Sequence, residues 1–194
     1  GTIRWRFDMV KNLNVHSYQE YCPMLGACPF WSSPLVIGDL VFAATGNGVD
    51  YHAETEAPKA VGGKPKQVRG PQGDPKLMSP NAPSFIALDK RTGKLKWQSN
   101  LPGANIIQGE FSSPTYADHG GRDQVIFAGG DGVIYSFAPE MGALLWKCDC
   151  LPERNDKADD ETLHQFVGTP VVVGDKLYIG MGNAIDTRRS RNAR

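Results

Sequence analysis

The feature that most constrains the fold of this chain is a segment that occurs twice in nearly the same form. Trp31–Val49 reads WSSPLVIGDLVFAATGNGV, and Phe111–Val133 reads FSSPTYADHGGRDQVIFAGGDGV. Each segment has an aromatic residue before Ser-Ser-Pro, two apolar runs around a polar turn, and Gly-x-Gly-Val at its end. A shorter third copy, TPVVVGDKLYIGMGN, begins at Thr169. A pattern that returns in the same order indicates a fold built from repeated units.

Each copy predicts a β-hairpin, because a polar turn separates its two apolar runs. The turn is Gly-Asp at 38–39 and again at 174–175, and such a turn between apolar runs favours a hairpin. A second hairpin follows at 85–97 and at 133–146. Each complete unit therefore has four antiparallel strands, lettered A to D in chain order. We predict an all-β chain of β-propeller blades, since a β-sandwich would not require the motif to recur in the same order.

The predicted domain organisation is one partial propeller followed by a short tail. The repeat covers 1–183 and divides into the end of a blade at 1–5, a blade at 32–97, a blade at 112–146 and a half blade at 168–183, with a non-repeat tail at 184–194. This amounts to about three blades, whereas closed propellers have at least four. We therefore expect an incomplete propeller, a fragment that associates with the missing blades of its own parent chain.

The first of these blades carries an insertion at 50–83, between strands B and C. The insertion is rich in proline, glycine and lysine and has almost no apolar periodicity, so we predict a long surface loop. Its basic residues would suit an acidic partner, although a solvated insertion is the simpler interpretation. In an up-and-down blade, the B–C and D–A connections share one face, and the A–B and C–D turns share the other. We expect any ligand or partner to use the face with the long connections.

Composition and charge argue against several classes of partner. The 194 residues are 40% hydrophobic and 22% charged, which is a globular composition. The 21 basic and 21 acidic residues give a formal net charge of zero, so there is no electrostatic reason to expect nucleic acid or an anionic membrane. No apolar run approaches the ~18 residues of a transmembrane helix. We therefore predict no nucleic-acid partner and no membrane span.

Four cysteines are the candidate thiol or disulfide residues of the sequence: Cys22, Cys28, Cys148 and Cys150. Three interpretations stay open, namely disulfides, free thiols and a four-thiolate zinc site, although C-x5-C with C-x-C is not the usual C-x2-C spacing. Cys148 and Cys150 would share one face of an extended strand, and two such cysteines are poorly placed to bond to each other.

The remaining polar residues assign no chemistry. Glu161 and His164 form E-x-x-H, which on a helix would share a face, but a polar loop is the simpler interpretation. His119 lies in a predicted turn. No Ser-His-Asp order, phosphate-binding loop or paired carboxylates stand out. The sequence therefore assigns no catalytic residue and no metal ligand.

One segment resembles a known repeat. Ala87–Trp97 reads ALDKRTGKLKW and is similar to the A-x-D-x-x-T-G-x-x-x-W repeat of the pyrroloquinoline-quinone-like propellers. The matching positions are Ala87, Asp89, Thr92, Gly93 and Trp97, with Gly142 and Trp146 kept in the second copy and Trp5 at the end of an earlier one. The resemblance implies a propeller in which these three tryptophans stack between blades.

The resemblance implies two possible functions. Proteins with this repeat include quinone-dependent alcohol and sugar dehydrogenases, and non-catalytic scaffolds similar to the outer-membrane-assembly lipoprotein of the Bam complex. The dehydrogenases typically have an adjacent Cys-Cys disulfide and a calcium ion held by Glu, Asn and Asp; this chain has no Cys-Cys pair and no recognisable calcium loop. We therefore expect a scaffold without a cofactor that binds other proteins in the periplasm or cell envelope. The alternative is a dehydrogenase fragment that uses pyrroloquinoline quinone with calcium.

Overall fold

The structure is a computed structural model that describes residues 1–16, 32–50, 76–107, 109–151 and 163–184. Helix α1 spans Met9–Leu13, and a 3-10 helix spans Gly103–Asn105. The strands of these residues are, in chain order, β1 (Leu35–Ile37), β2 (Leu40–Ala44), β3 (Val49–Asp50), β4 (Lys76–Leu77), β5 (Phe85–Asp89), β6 (Leu95–Ser99), β7 (Thr115–His119), β8 (Arg122–Ala128), β9 (Val133–Phe137), β10 (Leu144–Asp149), β11 (Leu163–Phe166), β12 (Val171–Val173), β13 (Lys176–Tyr178) and β14 (Met181–Ala184). None of the helices in these parts of the chain has the length and apolar character of a membrane span.

Two antiparallel four-stranded sheets form the body of the molecule. The first blade has the strand order β1-β2-β5-β6, and the second blade has β7, β8, β9 and β10 side by side. Every strand pair within them is antiparallel. Tight turns at Gly38 (φ 55°) and Gly93 (φ 70°) join strands A to B and C to D of the first blade, and glycine adopts these angles without steric cost. The predicted four-stranded antiparallel units are confirmed.

The third copy of the repeat forms the third-repeat hairpin, β12 and β13, with Val172 opposite Leu177. Beside it, β11 pairs antiparallel with β14. This second pair was not predicted, because β11 carries neither a turn signal nor a repeat motif. His164 therefore lies in a strand and not on a helix. The division of 1–183 into blade segments, with 184–194 as a tail, stays a prediction.

The insertion at 50–83 is more ordered at its two ends than the expected surface loop. Its first residue belongs to a two-stranded ribbon in which β3 pairs with β4. Near its other end Ala82 is buried, and the Thr45 hydroxyl donates a hydrogen bond to the Pro83 carbonyl (2.7 Å). A polar side chain just after strand B therefore holds the returning chain against the blade. Residues 51–75 lie outside the described residues.

The segment before α1 also departs from its prediction. The repeat predicts that Gly1–Trp5 ends a strand, but residues 1–8 form neither helix nor strand. A strand exchanges hydrogen bonds with a neighbour, and no described strand pairs with this segment. Helix α1 follows directly because the Asp8 carboxylate accepts a hydrogen bond from the Lys11 N–H (3.0 Å) and caps the helix.

Two apolar clusters pack the repeats face to face. Between the two blades, the Phe85 and Phe127 rings stack with centroids 4.8 Å apart and planes 1° apart. That cluster comprises Leu40, Phe42, Ala44, Phe85, Ala87 and Trp97 of the first blade with Val125, Phe127, Tyr135 and Phe137 of the second. The second cluster comprises Ala117, Ile126, Ala128, Ile134 and Phe166, with Val172 and Leu177 of the third-repeat hairpin packed against it. The second blade is therefore covered on both faces, which is how stacked blades bury apolar surface.

The Ser-Ser-Pro motif links one copy of the repeat to the next. The Ser113 hydroxyl oxygen accepts a hydrogen bond from the Ser33 N–H of the first copy (2.8 Å). The Ser112 hydroxyl donates to the Gly168 carbonyl, just before the third copy (2.9 Å). Strand β7 correspondingly contacts β1 on one side and β12 on the other. These bonds provide a physical reason for the recurrence, because they fix the spacing of neighbouring A strands.

Candidate functional site

Two tryptophans of the repeat lie flat on glycine turns of the unit that follows. Trp5 covers Gly93, and Trp97 covers Gly142; a Cβ atom built on either glycine would lie 2.5 Å from the indole ring. Both glycines also have a positive φ, 70° and 67°. Each C–D turn therefore needs its glycine for two reasons: the positive φ of the backbone and the close contact with the indole ring.

Each docked indole also donates a hydrogen bond to the turn that it covers. Trp5 Nε1–H donates to the Lys90 carbonyl (2.8 Å), and Trp97 Nε1–H donates to the Pro139 carbonyl (2.6 Å). The two contacts are equivalent, although residues 1–8 form no strand. The tryptophan of one repeat unit thus fastens that unit to the next one.

Asp89 stabilises the C–D turn of the first blade. Its Oδ1 accepts hydrogen bonds from the Arg91 N–H (3.0 Å), the Thr92 N–H (2.8 Å) and the Thr92 hydroxyl (2.9 Å). The two hydrogen bonds from Thr92 are the main reason that the pKa of Asp89 lies below its usual range. In the second blade Ala138 takes this position, yet the Gly142 N–H still donates to its carbonyl (2.9 Å). The Asp and Thr of the motif therefore reinforce a turn that glycine alone can form.

Contacts between connections show which of them share a face. Gly48, in the B–C connection of the first blade, forms a β-bridge with Gly109, in the D–A connection that follows. We call this side the connection face. On the opposite side, the Arg91 guanidinium of a C–D turn pairs with the Asp39 carboxylate of an A–B turn (3.3 Å). We call that side the turn face. The structure thus has the arrangement that the strand order predicts.

Equivalent polar residues follow strand B of both blades on the connection face. Asn47 accepts a hydrogen bond from the His16 N–H (3.2 Å) and donates one to the Ser79 carbonyl (3.0 Å). Asp131 accepts one from the Tyr135 hydroxyl (2.6 Å). Burial raises the pKa of Asp131, and the Tyr135 bond opposes the shift. Both side chains are buried, and the Asn47 amide ties two connecting segments to the first blade.

Glu110 is a buried carboxyl between the two blades, only 3% exposed. Its Oε2 accepts a hydrogen bond from the Gly130 N–H (2.9 Å), and the Ser84 hydroxyl lies buried beside the carboxyl without a well-formed hydrogen bond to Oε1. Burial raises the pKa of Glu110 well above its usual range; the Gly130 N–H opposes the shift and the charge of Asp131 adds to it. The third copy has Phe166 at this position, so the fold itself does not require a carboxyl there.

A groove of about 690 Å³ opens between the second blade and the third-repeat hairpin. Its lining includes Ile134, Trp146, Cys148, Cys150, Val171 and Leu177. Trp146 is 37% exposed, and its Nε1–H donates to Gln124 Oε1 of its own sheet (2.8 Å). The Cys148 and Cys150 thiols are free, and their sulfur atoms lie 3.9 Å apart. The groove thus brings an indole and two thiols together.

Other candidate residues of the sequence fall on parts of the chain that the structure does not describe or on its surface. Cys22, Cys28 and Glu161 lie outside the described residues. His119 ends β7 at an exposed turn. Sequence reasoning missed Glu110 and Asp131 as buried carboxyls. A comparison of the repeat copies could have found these two carboxyls, because the other copies have an apolar or amide residue at the same positions.

Stacked four-stranded antiparallel sheets, joined by short turns and with Trp5 and Trp97 docked on the turn of the following unit, define the chain as part of a β-propeller. A family model described as outer membrane protein assembly factor BamB matches residues 1–194. The chain therefore belongs to this family of pyrroloquinoline-quinone-like repeat proteins, and the resemblance of its repeat is confirmed. No curated protein matches the chain.

Solved propellers show low similarity to this chain. BamB from Moraxella catarrhalis is 20% identical with a TM-score of 0.43, over 76% of this chain and 29% of that one. A quinohemoprotein alcohol dehydrogenase from Pseudomonas putida is 18% identical with a TM-score of 0.44, over 78% and 16%. A europium-containing methanol dehydrogenase is 19% identical with a TM-score of 0.45, over 77% and 20%. The chain thus spans less than a third of the length of each.

Proposed function

We propose that this chain is part of a non-catalytic propeller scaffold that binds other proteins through its connection face. The observation that carries the proposal is how the buried polar side chains of that face are used. The Asn47 amide holds segments at His16 and Ser79, and the Glu110 carboxyl holds the backbone at Gly130. A rigid platform that presents long connections is a common arrangement for binding.

The family suggests the class of partner and its location. Its description names an outer membrane protein assembly factor. We therefore place the scaffold in the cell envelope, on the periplasmic side, with envelope proteins as its partners. A dehydrogenase in the same fold would instead need a calcium site and a quinone site.

The described residues do not fit the calcium site that a quinone-dependent dehydrogenase would need. The two buried carboxyls of the connection face, Glu110 and Asp131, already accept hydrogen bonds from Gly130, Val133 and Tyr135. Within the parts of the chain that the structure describes, no group of three or more His, Cys, Asp or Glu side chains gathers in one place. The engagement of these carboxyls supports the scaffold proposal, and the dehydrogenase fragment stays the alternative.

Site-specific photocrosslinking in the full-length protein tests which face binds. A photoreactive benzoylphenylalanine at Met78, which is exposed beside the β3–β4 ribbon, is expected to crosslink to partner proteins in the envelope. The matched control is the same residue at Arg91, which is exposed on the turn face. Equal crosslinking from both positions, or crosslinking from Arg91 alone, would contradict binding through the connection face.

A ligand titration tests the scaffold against the dehydrogenase. Pyrroloquinoline quinone with calcium is added to the full-length protein while tryptophan fluorescence is recorded. We expect no saturable change, and calcium alone serves as the control for ionic effects. Saturable, calcium-dependent quenching would overturn the non-catalytic scaffold and favour an alcohol or sugar dehydrogenase.

A further inference from the structure

Cys148 and Cys150 form a pair of free thiols at the mouth of the groove. Cys148 lies in the edge strand β10, and Cys150 follows that strand with its N–H bonded to the Gly132 carbonyl (3.1 Å). Cys148 is exposed and Cys150 is half-buried. Both side chains line the groove, and their sulfur atoms lie 3.9 Å apart.

This separation decides between two kinds of thiol chemistry. A disulfide needs sulfur atoms about 2.05 Å apart, so the two sulfurs would have to close by nearly half of their distance. A single thiophilic metal ion with metal–sulfur bonds of about 2.3 Å spans sulfur atoms that are roughly 3.8 Å apart at a tetrahedral angle and about 4.6 Å apart in a line. The observed 3.9 Å falls within that span. A shared ion therefore fits this pair without movement of the backbone.

The surroundings of the pair favour a soft cation of low coordination number. Apolar side chains, among them Ile134 and Val171, line the groove beside the sulfurs. No third His, Cys, Asp or Glu joins the pair among the described residues.

We propose that Cys148 and Cys150 supply two thiolate ligands to a binding site for monovalent copper. Thiolates are the ligands that select Cu(I), whereas Cu(II) prefers nitrogen and oxygen ligands in a square arrangement. On binding, each thiol releases its proton, the sulfur electron pairs form two copper–sulfur bonds, and the oxidation state of copper does not change. The site is independent of the proposed scaffold function.

The test is a competition titration of the reduced 194-residue chain with Cu(I), under anaerobic conditions, against a coloured Cu(I) chelator. Because Cys22 and Cys28 are also thiols, the measurement uses the Cys22→Ser, Cys28→Ser background. We expect the Cys22→Ser, Cys28→Ser chain to bind one equivalent of Cu(I) in competition with the chelator. Cys148→Ser or Cys150→Ser should lower the affinity at least 100-fold, and Asp149→Asn should keep the stoichiometry at one. One equivalent retained in the Cys148→Ser, Cys150→Ser variant would overturn the proposal.

A second measurement uses the unaltered chain, in case a variant fails to fold. Bound Cu(I) should protect Cys148 and Cys150 together from alkylation by a maleimide, as read by mass spectrometry of the peptides. Copper X-ray absorption should show two sulfur neighbours. Alkylation of both cysteines at the same rate with and without Cu(I) would overturn the site. So would a Cys148–Cys150 disulfide in air, combined with no bound Cu(I) after reduction.

Discussion

The second blade makes two contacts that differ in composition and closure. Toward the first blade, the contact is aromatic, with Phe85 stacked on Phe127, and Trp97 covers the turn glycine Gly142. Toward the third-repeat hairpin, the contact is mainly aliphatic, and Trp146 stands half-exposed beside an open groove. One contact is closed by a docked tryptophan, and the other is not.

The difference shows what the repeat motif contributes beyond strand formation. Trp97 and Trp146 occupy equivalent positions in strand D, but only Trp97 has a glycine turn of a following unit beneath it among the described residues. Trp146 bonds to Gln124 of its own sheet instead. The tryptophan therefore depends on the next unit for its burial. The contact between blades is a property of two units and not of one.

The largest effect is expected from truncation within the aromatic contact. Phe85 is fully buried against Phe42, Trp97, Phe127 and Phe137. Phe85→Ala should lower the free energy of unfolding by about 3–5 kcal/mol, because it removes apolar burial and leaves a closed cavity.

Urea denaturation of the 194-residue chain measures this loss, and the matched variant is Ile134→Ala at the second contact. Ile134→Ala should lower the free energy of unfolding by about 2 kcal/mol, near the lower end of the range for such truncations, because the groove beside Ile134 is already open. A smaller loss for Phe85→Ala than for Ile134→Ala would contradict the ranking of the two contacts.

The next effect concerns the glycine beneath the docked tryptophan. Gly142→Ala forces a Cβ atom to within 2.5 Å of the Trp97 ring at a residue with φ 67°. A positive φ costs an alanine about 1–2 kcal/mol, and the overlap should add roughly 1–3 kcal/mol. Gly174→Ala is the matched control, since Gly174 has φ 60° and nothing within 4 Å of a Cβ atom.

The difference between the two glycine variants in urea denaturation isolates the ring contact from the backbone strain. Tryptophan fluorescence of Gly142→Ala should also shift toward that of a more exposed indole. Equal losses of stability for Gly142→Ala and Gly174→Ala would mean that the Trp97 contact contributes nothing.

A smaller effect should separate the two tryptophans directly. Trp97→Phe leaves the Pro139 carbonyl without its donor in a buried contact, which should cost about 1–3 kcal/mol. Trp146→Phe should cost about 0.5–1.5 kcal/mol at most, since Gln124 Oε1 keeps its hydrogen bond from the Ser136 hydroxyl. Equal costs in urea denaturation would show that docking on the next unit does not strengthen the contact.

The repeat made the strand order, the hairpin turns and the two faces predictable from the sequence. Gly38, Gly93 and Gly142 stand where a turn needs a positive φ, and such local requirements are visible in the residue types themselves. The apolar alternation likewise predicts which strands are buried.

The buried carboxyls could not be predicted in the same way. Glu110 lies beside Ser84 of one blade and Gly130 of the next, which are brought together only by the packing of the blades. The β3–β4 ribbon depends on partners far apart in the chain, Val49 and Leu77. The thiol pair was visible as C-x-C, but its 3.9 Å separation could not be predicted from that spacing, because Cys150 lies beyond the end of β10.

The last prediction concerns Glu110, whose counterpart in the other contact is Phe166. Because burial raises the pKa of Glu110 in the folded state, the native chain binds its proton more tightly than the unfolded chain does. The contribution of Glu110 is therefore fully present below its unfolded pKa of about 4.3 and is lost as pH rises through the folded pKa. Glu110→Gln cannot ionise, so its free energy of unfolding should fall less as pH rises.

Urea denaturation at a series of pH values measures this slope, with Glu140→Gln as the control for an exposed carboxyl. Asp131 has a raised pKa as well, so part of the slope should remain in Glu110→Gln. A slope unchanged by Glu110→Gln would contradict the burial of an ionisable group at the first contact. A slope that Glu110→Gln reduces and Glu140→Gln leaves unchanged would assign this pH sensitivity to the contact between the two blades. The other contact has Phe166 at the corresponding position and so has no titratable group there.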